Sequence, residues 1–228
     1  MTLTVYEDLE QGSDSWLQAR CGLISASIMN DILTPTLKAS SNEKTRQAVY
    51  ELACQRVTNY VEPQYWTDAM LRGVADESVA AELYADKVAP VQEIGGMVRE
   101  FDFGRIWYSP DRLVGDDGLI EVKSRRNGLH FKTVAEGDIP KEHVLQLQAG
   151  LLVSGRDWID YISICKGQPL FIKRVEPDPV YHDAILTACE AMEKSIAAAT
   201  ERYYDTLKSQ RVLIETERDP DEMEIYLG

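Results

Sequence analysis

From Gly96 to Val175 the chain alternates short runs of β-branched and aromatic residues with turn residues, and helix-length amphipathic stretches flank that region. A hydrophobic period that passes from 3.6 to 2 and back again builds helices around a sheet. Gly96 to Tyr108 predicts two short strands or a hairpin, halted by Ser109-Pro110-Asp111. After the turn Gly115-Asp-Asp-Gly118, Leu119 to Lys123 resumes as a strand. Trp158 to Cys165 and Pro169 to Val175 predict a closing pair around Lys166-Gly167-Gln168. Helices are expected over Ser25–Leu33 behind a capping serine, Glu43–Tyr60, Thr67–Val88, His143–Val153 and Asp178–Ser209. In the third of these, Met70, Val74, Val79, Leu83 and Tyr84 predict a buried stripe, and Thr34 to Asn42 reads as a mobile loop. The order of elements gives an α/β fold with a central mixed sheet flanked by helices.

The chain of 228 residues shows no repeat, linker or low-complexity segment, so residues 1–228 are expected to form one domain with an acidic C-terminal segment from about 213. Hydrophobic residues at 44% against 27% charged residues predict a soluble, folded chain. No apolar run reaches the roughly 20 residues of a membrane helix, and Met1 to Gln11 lacks a signal peptide's basic start and apolar stretch. A cytoplasmic protein without membrane contact is expected. The formal net charge of -14, from 24 Lys+Arg against 38 Asp+Glu, excludes a uniformly basic nucleic-acid binder. It leaves open an enzyme that grips DNA in a local basic cleft. Cys21, Cys54, Cys165 and Cys189 lie far apart and form no CxxC pair, so reduced and mostly buried thiols are expected.

The chemistry concentrates at Asp111 and at Glu121-Val122-Lys123. Alternate strand residues share a face, so Glu121 and Lys123 project together while Ile120 and Val122 turn to the core. Asp111, just past the preceding strand, is placed to meet them. An Asp followed loosely by Glu-x-Lys arises by chance in so acidic a chain, and Glu121 with Lys123 can be a solvated charge pair. The hydrophobic strand, the Pro-Asp stop and the Gly-bounded turn favour a site instead. Two carboxylates supply hard oxygen ligands for Mg²⁺, and an ammonium beside them can orient or help deprotonate a water and stabilise developing charge.

Ser109-Pro110-Asp111 with Glu121-Val122-Lys123 resembles the catalytic core of the PD-(D/E)xK nucleases. Within them the chain more closely resembles the bacteriophage lambda exonuclease group, the YqaJ-like viral recombinases. Trp16 to Ser27 (WLQARCGLISAS), Gly73-Val-Ala-Asp-Glu77 and Gln146-Leu-Gln148 resemble further family motifs in the same order, over roughly residues 10 to 175. The resemblance implies a restriction-endonuclease-like core and a Mg²⁺-dependent 5′→3′ exonuclease, with Mn²⁺ as a substitute. Such an enzyme degrades one strand of linear double-stranded DNA and leaves a 3′ overhang for recombination. It implies Asp111, Glu121 and the carbonyl of Val122 as metal ligands and Lys123 as the catalytic lysine. Glu77 is implied as a helix acid that ligates directly or through water, and Gln146 as a glutamine contacting the site.

Arg20, Ser27, Ser25 and Ser109 are implied as a pocket for the terminal 5′-phosphate, and Met70 as an apolar wedge between bases. A guanidinium fork with hydroxyls at a helix N-terminus suits an anion. The family also implies a ring-shaped homotrimer and a single-strand annealing protein as partner. Lys123, Arg125, Arg126, His130 and Lys132, with Lys38, Lys44 and Arg46, are expected to line the DNA path. The chain departs from the pattern at Arg112, where glycine is frequent, at Asp76, where an aromatic residue precedes the helix acid, and at His143, where tyrosine is usual. A structure-selective or Cas4-like nuclease of the same superfamily and a non-catalytic DNA-end-binding module are the alternatives. Scattered cysteines weigh against the Cas4-like form, and the joint presence of Asp111, Glu121 and Lys123 against the module.

Overall fold

The structure is a computed structural model and describes residues 2–62, 67–209 and 213–217. The mixed α/β fold expected from the sequence is realised as two four-stranded mixed sheets, where the sequence suggested one. The first takes the order β1 (Leu3–Tyr6), β3 (Gly96–Phe101), β4 (Gly104–Tyr108), β2 (Ile24–Ser25). The second takes the order β5 (Arg112–Val114), β6 (Gly118–Ser124), β7 (Trp158–Ile164), β8 (Phe171–Val175). β6 and β7 run parallel, and the crossover that parallel strands require is made by α5 (Asn127–Glu136) and α6 (Lys141–Ser154).

α6 joins the two sheets. Leu145, Leu147, Leu151 and Val153 pack in one cluster with Met97 and Ile106 of the first sheet and Leu119 and Ile159 of the second. α7 (Pro179–Lys208) closes that cluster with Ile185, Met192 and Ile196. Its start matches the expected boundary, because Asp178 caps it by accepting from the Val180 amide and Pro179 takes a first-turn place with no amide to lose. α3 (Glu43–Thr58) begins where Asn42 accepts from the Thr45 amide.

The opposite face of β6 and β7 is covered by α4 (Asp68–Lys87) through Ala80, Ala81 and Tyr84, against Ile120, Val122 and Ile162. With both faces covered, β6 reads as a near-continuous apolar run. Glu121 therefore does not face solvent: it lies on the Leu119 side, beneath α6, at 2% exposure.

The stripe expected on α4 is corrected. Tyr84 is buried, but Met70, Val74 and Leu83 are 37%, 51% and 45% exposed. The buried face is Asp76, Ala80, Tyr84, spaced four apart, because small side chains let the helix approach the sheet. Met70, Val74, Glu77 and Ser78 form a second face that lines a cleft.

Three further expectations change. Ser25 to Leu33 is a short strand, a 3-10 turn over Ala26–Ile28 and a single turn of helix, α2 (Met29–Ile32), and Ser25 makes no capping bond. α5 occupies the basic segment after β6, where no helix is expected from the sequence. Of the four free thiols only Cys189 is buried, whereas Cys54 is exposed and Cys21 and Cys165 are half-buried. No described helix is long and apolar enough to cross a membrane. Of the acidic C-terminal segment, residues 213–217 are exposed and the remainder lies outside the described residues.

Candidate active site

The site grows from an open strand edge. β5 pairs with β6 only as far as Arg112 opposite Ile120, so beyond that point β6 loses its neighbour on that side. Asp111, the residue before β5, fills the gap: its Oδ2 accepts from the Val122 amide. Within a strand the amide and carbonyl of one residue point to the same side, so the Val122 carbonyl shares that edge with the Asp111 carboxylate.

Glu121 meets Asp111 from the same strand, and three donors fix it. Its Oε1 accepts from Lys123 Nζ at 2.7 Å and from Gln146 Nε2 at 2.6 Å, and its Oε2 from the Tyr108 hydroxyl at 3.0 Å. Burial, then the charge of Glu121, pushes the Tyr108 phenol well up, so it stays a donor. Burial also lifts Asp111 well above the usual carboxylate range, reinforced by the negative charges of Glu121 and Glu77. For Lys123, burial opposes the charged form, but Glu121 and Asp111 outweigh it and the ammonium's pKa is raised.

This donor set fits a hard divalent cation. It has two enclosed carboxylates that repel one another and one backbone carbonyl on a free edge, and magnesium commonly takes only one or two protein carboxylates. Among the described residues no three carboxylate, thiol or imidazole groups form a closed metal cage. Glu77 stands beside Asp111 and Glu121 and has a partner of its own. Its Oε1 is held 3.0 Å from Arg112 Nη1, and burial raises its pKa against the opposing pull of that guanidinium.

A cleft of about 590 Å³ reaches this site through Glu77 and Arg112, with Arg20, Ser25 and Met70 among its other walls, and Asp111, Glu121 and Lys123 do not line it. Arg20 stacks 4.4 Å above the Trp16 ring. Burial draws its pKa down, and no described carboxylate reaches ion-pair distance of it. The hydroxyls of Ser25 and Ser27 lie 2.9 Å apart, Ser25 buried and Ser27 exposed.

Ser109 must be removed from the phosphate pocket. Its hydroxyl accepts from the indoles of Trp16 and Trp107 at 3.1 and 2.8 Å and donates to the Gly95 carbonyl at 3.0 Å. Its donor and one lone pair are thereby used, and the second lone pair takes the longer share of the Trp16 N–H, whose 2.8 Å bond goes to the Gly95 carbonyl.

Residues 15–157 match the model of the YqaJ-like viral recombinase domain. The chain belongs to that family. No match was found among curated proteins. Among solved structures, this YqaJ-like domain is similar to the alkaline exonuclease LHK-Exo from Laribacter hongkongensis, at 28% identity and a TM-score of 0.75. That match covers 86% of this chain and 98% of LHK-Exo. The same enzyme in complex with dAMP aligns at a TM-score of 0.74. A phage related exonuclease from Haemophilus somnus 129PT shares the fold at 15% identity and a TM-score of 0.60, over 79% of this chain and 96% of that one. The fold is restriction-endonuclease-like, with mixed sheets flanked by helices.

The expected DNA-path residues of the YqaJ-like chain divide. Arg126, the N-cap of α5, and Lys132 on that helix are exposed, Lys132 in a loose 3.7 Å pair with Glu136. Arg125 is tied down instead, bonded to Glu142 at 3.1 Å and to His143 Nε2 at 2.8 Å. His130 is a correction: it is fully buried, bonded to Ser163 and the Pro169 carbonyl, and belongs to the packing of α5. Lys44 and Arg46 pair with Asp31 and Glu43 on the surface. Sequence reasoning missed Tyr108, the third donor to Glu121. Its only signal was an aromatic residue ending the strand before Ser109-Pro110-Asp111.

Proposed function

We propose that this YqaJ-like protein is a Mg²⁺-dependent exonuclease, able to use Mn²⁺, that digests the 5′-ended strand of linear duplex DNA. The single observation carrying this reading is the convergence of Asp111, Glu121, Lys123 and Gln146 on the open edge of β6. Similarity to LHK-Exo, an alkaline exonuclease whose structure with dAMP is known, supports the choice of reaction and of nucleotide chemistry.

Asp111, Glu121 and the Val122 carbonyl would hold the cation. When bound, it supplies a water of lowered pKa and neutralises charge on the scissile phosphate. Gln146 and Tyr108 keep the Glu121 carboxylate in one orientation, which fixes the site before substrate arrives. Lys123, held as an ammonium, donates to the attacking water or a phosphoryl oxygen and stabilises charge that grows toward the transition state. Glu77 acts from the wall of the cleft, not as a direct ligand.

In the cleft, Arg20 with Ser25, and Ser27 bonded to Ser25 beside it, takes the terminal 5′-phosphate, because a half-buried guanidinium that feels Glu51 but has no described carboxylate within ion-pair distance favours an anion. Met70, exposed at the start of α4, packs against the terminal base. Arg126 and Lys132 meet the phosphate backbone outside. A homotrimeric ring, a single-strand annealing protein that coats the remaining strand, and work in the cytoplasm of a phage-carrying bacterium complete the proposal.

Digestion of a linear duplex labelled at either end, with and without a 5′-phosphate, tests the reading. We expect Mg²⁺-dependent release of 5′-mononucleotides from the 5′-phosphorylated strand and intact closed circles. Nicked circles, or indifference to the 5′-phosphate, would contradict the end-directed reaction.

A further inference from the structure

We propose that Arg112 stands in for a second cation, so that a single divalent ion completes the active site of each chain. The inference rests on the metal-dependent reading above and assigns its stoichiometry.

A two-metal site needs carboxylates enough to clamp two ions about 3.5–4 Å apart. Beyond Asp111 and Glu121, the acid nearest to that task is Glu77, whose charge acts on Asp111 and which is itself acted on by Glu121. Glu77 is already engaged. Arg112 Nη1 lies 3.0 Å from its Oε1, and the Arg112 side chain is only 13% exposed, so water and salt screen the pair weakly. The same nitrogen donates to the Asp111 carbonyl, and Arg112 Nη2 lies 3.7 Å from Glu93. The guanidinium is therefore anchored to the backbone of one proposed ligand and to two acids at once.

An arginine side chain stays charged at every physiological pH. Its charge sits where a second ion would otherwise use Glu77, and a second dication beside it would meet direct repulsion.

Counting bound Mn²⁺ on the full chain, by calorimetry and by electron paramagnetic resonance, tests the idea without reference to cleavage. We expect one Mn²⁺ per chain in the wild type and in Arg112→Lys. Arg112→Met, which keeps the packed stem and removes the charge, should bind two, with the spectral coupling of a close pair. Adding Glu77→Gln to Arg112→Met should return the count to one. Two ions in the wild type would overturn the inference whether or not a variant folds, as would one ion in a folded Arg112→Met. No Mn²⁺ on any of these proteins would instead defeat the metal-dependent reading, and the inference with it.

Discussion

Glu121 accepts three hydrogen bonds, from a lysine, an amide and a phenol, while 2% exposed. Each donor restricts one direction in which the carboxylate can turn. Tyr108→Phe removes only the 3.0 Å bond to Oε2. We expect the Mg²⁺ concentration for half-maximal cleavage to rise about 10–100-fold, the usual loss when a ligand's supporting partner goes. A Mg²⁺ titration of the rate checks this. His143 offers a second prediction at this scale. Burial, then the charges of Lys123 and Arg125, lowers its pKa to about 4 from an ordinary 6.5. Above pH 6.5 the imidazole is neutral folded or unfolded. As pH falls toward 4 the unfolded chain takes the proton first, so stability is lost through that window. Relative to His143→Gln, the wild type should lose on the order of 2 kcal/mol between pH 7 and 4, read from denaturant unfolding at both. Equal losses would contradict it. Asp111, Glu121 and Lys123 were legible because strand alternation and a Pro-Asp stop are local signals. The saturation of Ser109 was not, because its partners Trp16 and Gly95 come from distant segments.

At the scale of elements, α6 is what brings Gln146 to Glu121, and it sits close because Gly150 has no side chain. A Cβ there would lie 2.6 Å from Tyr108 Cζ, on a ring that is fully buried and has nowhere to move. Gly150→Ala should cost about 1–3 kcal/mol by overpacking and, by displacing the phenol, should slow cleavage as Tyr108→Phe does. Denaturation midpoints together with rates check both effects. Helical periodicity announced α3, α6 and α7; Asn42 and Asp178 cap the first and last, and α6 shows in its apolar residues alone. It misled on α4, where Ala80 and Ala81 mark the packed face and the bulkier Met70 and Val74 line the cleft. It missed α5, whose N-cap, Arg126, makes no side-chain capping bond.

At the scale of the whole molecule, a chain of net charge -14 must concentrate its DNA contacts. The exposed cations on α5, next to the end of β6, are placed for that. Arg126→Ala should weaken duplex binding and flatten the plot of log affinity against log salt by about 0.9, the share of one phosphate contact. An unchanged slope would place Arg126 off the DNA path. Element order made the α/β class readable, but not the division into two sheets, which arises because β4 pairs with β3 and β2 while β5, after three intervening residues, pairs with β6. The central claim is that Lys123, beside Asp111 and Glu121, assists the chemical step itself. Single-turnover cleavage of a 5′-phosphorylated linear duplex by Lys123→Ala, with duplex affinity measured in parallel, tests it most directly. We expect affinity within about twofold of wild type and a rate lower by about 10²–10³-fold; cleavage at the wild-type rate would contradict the assignment.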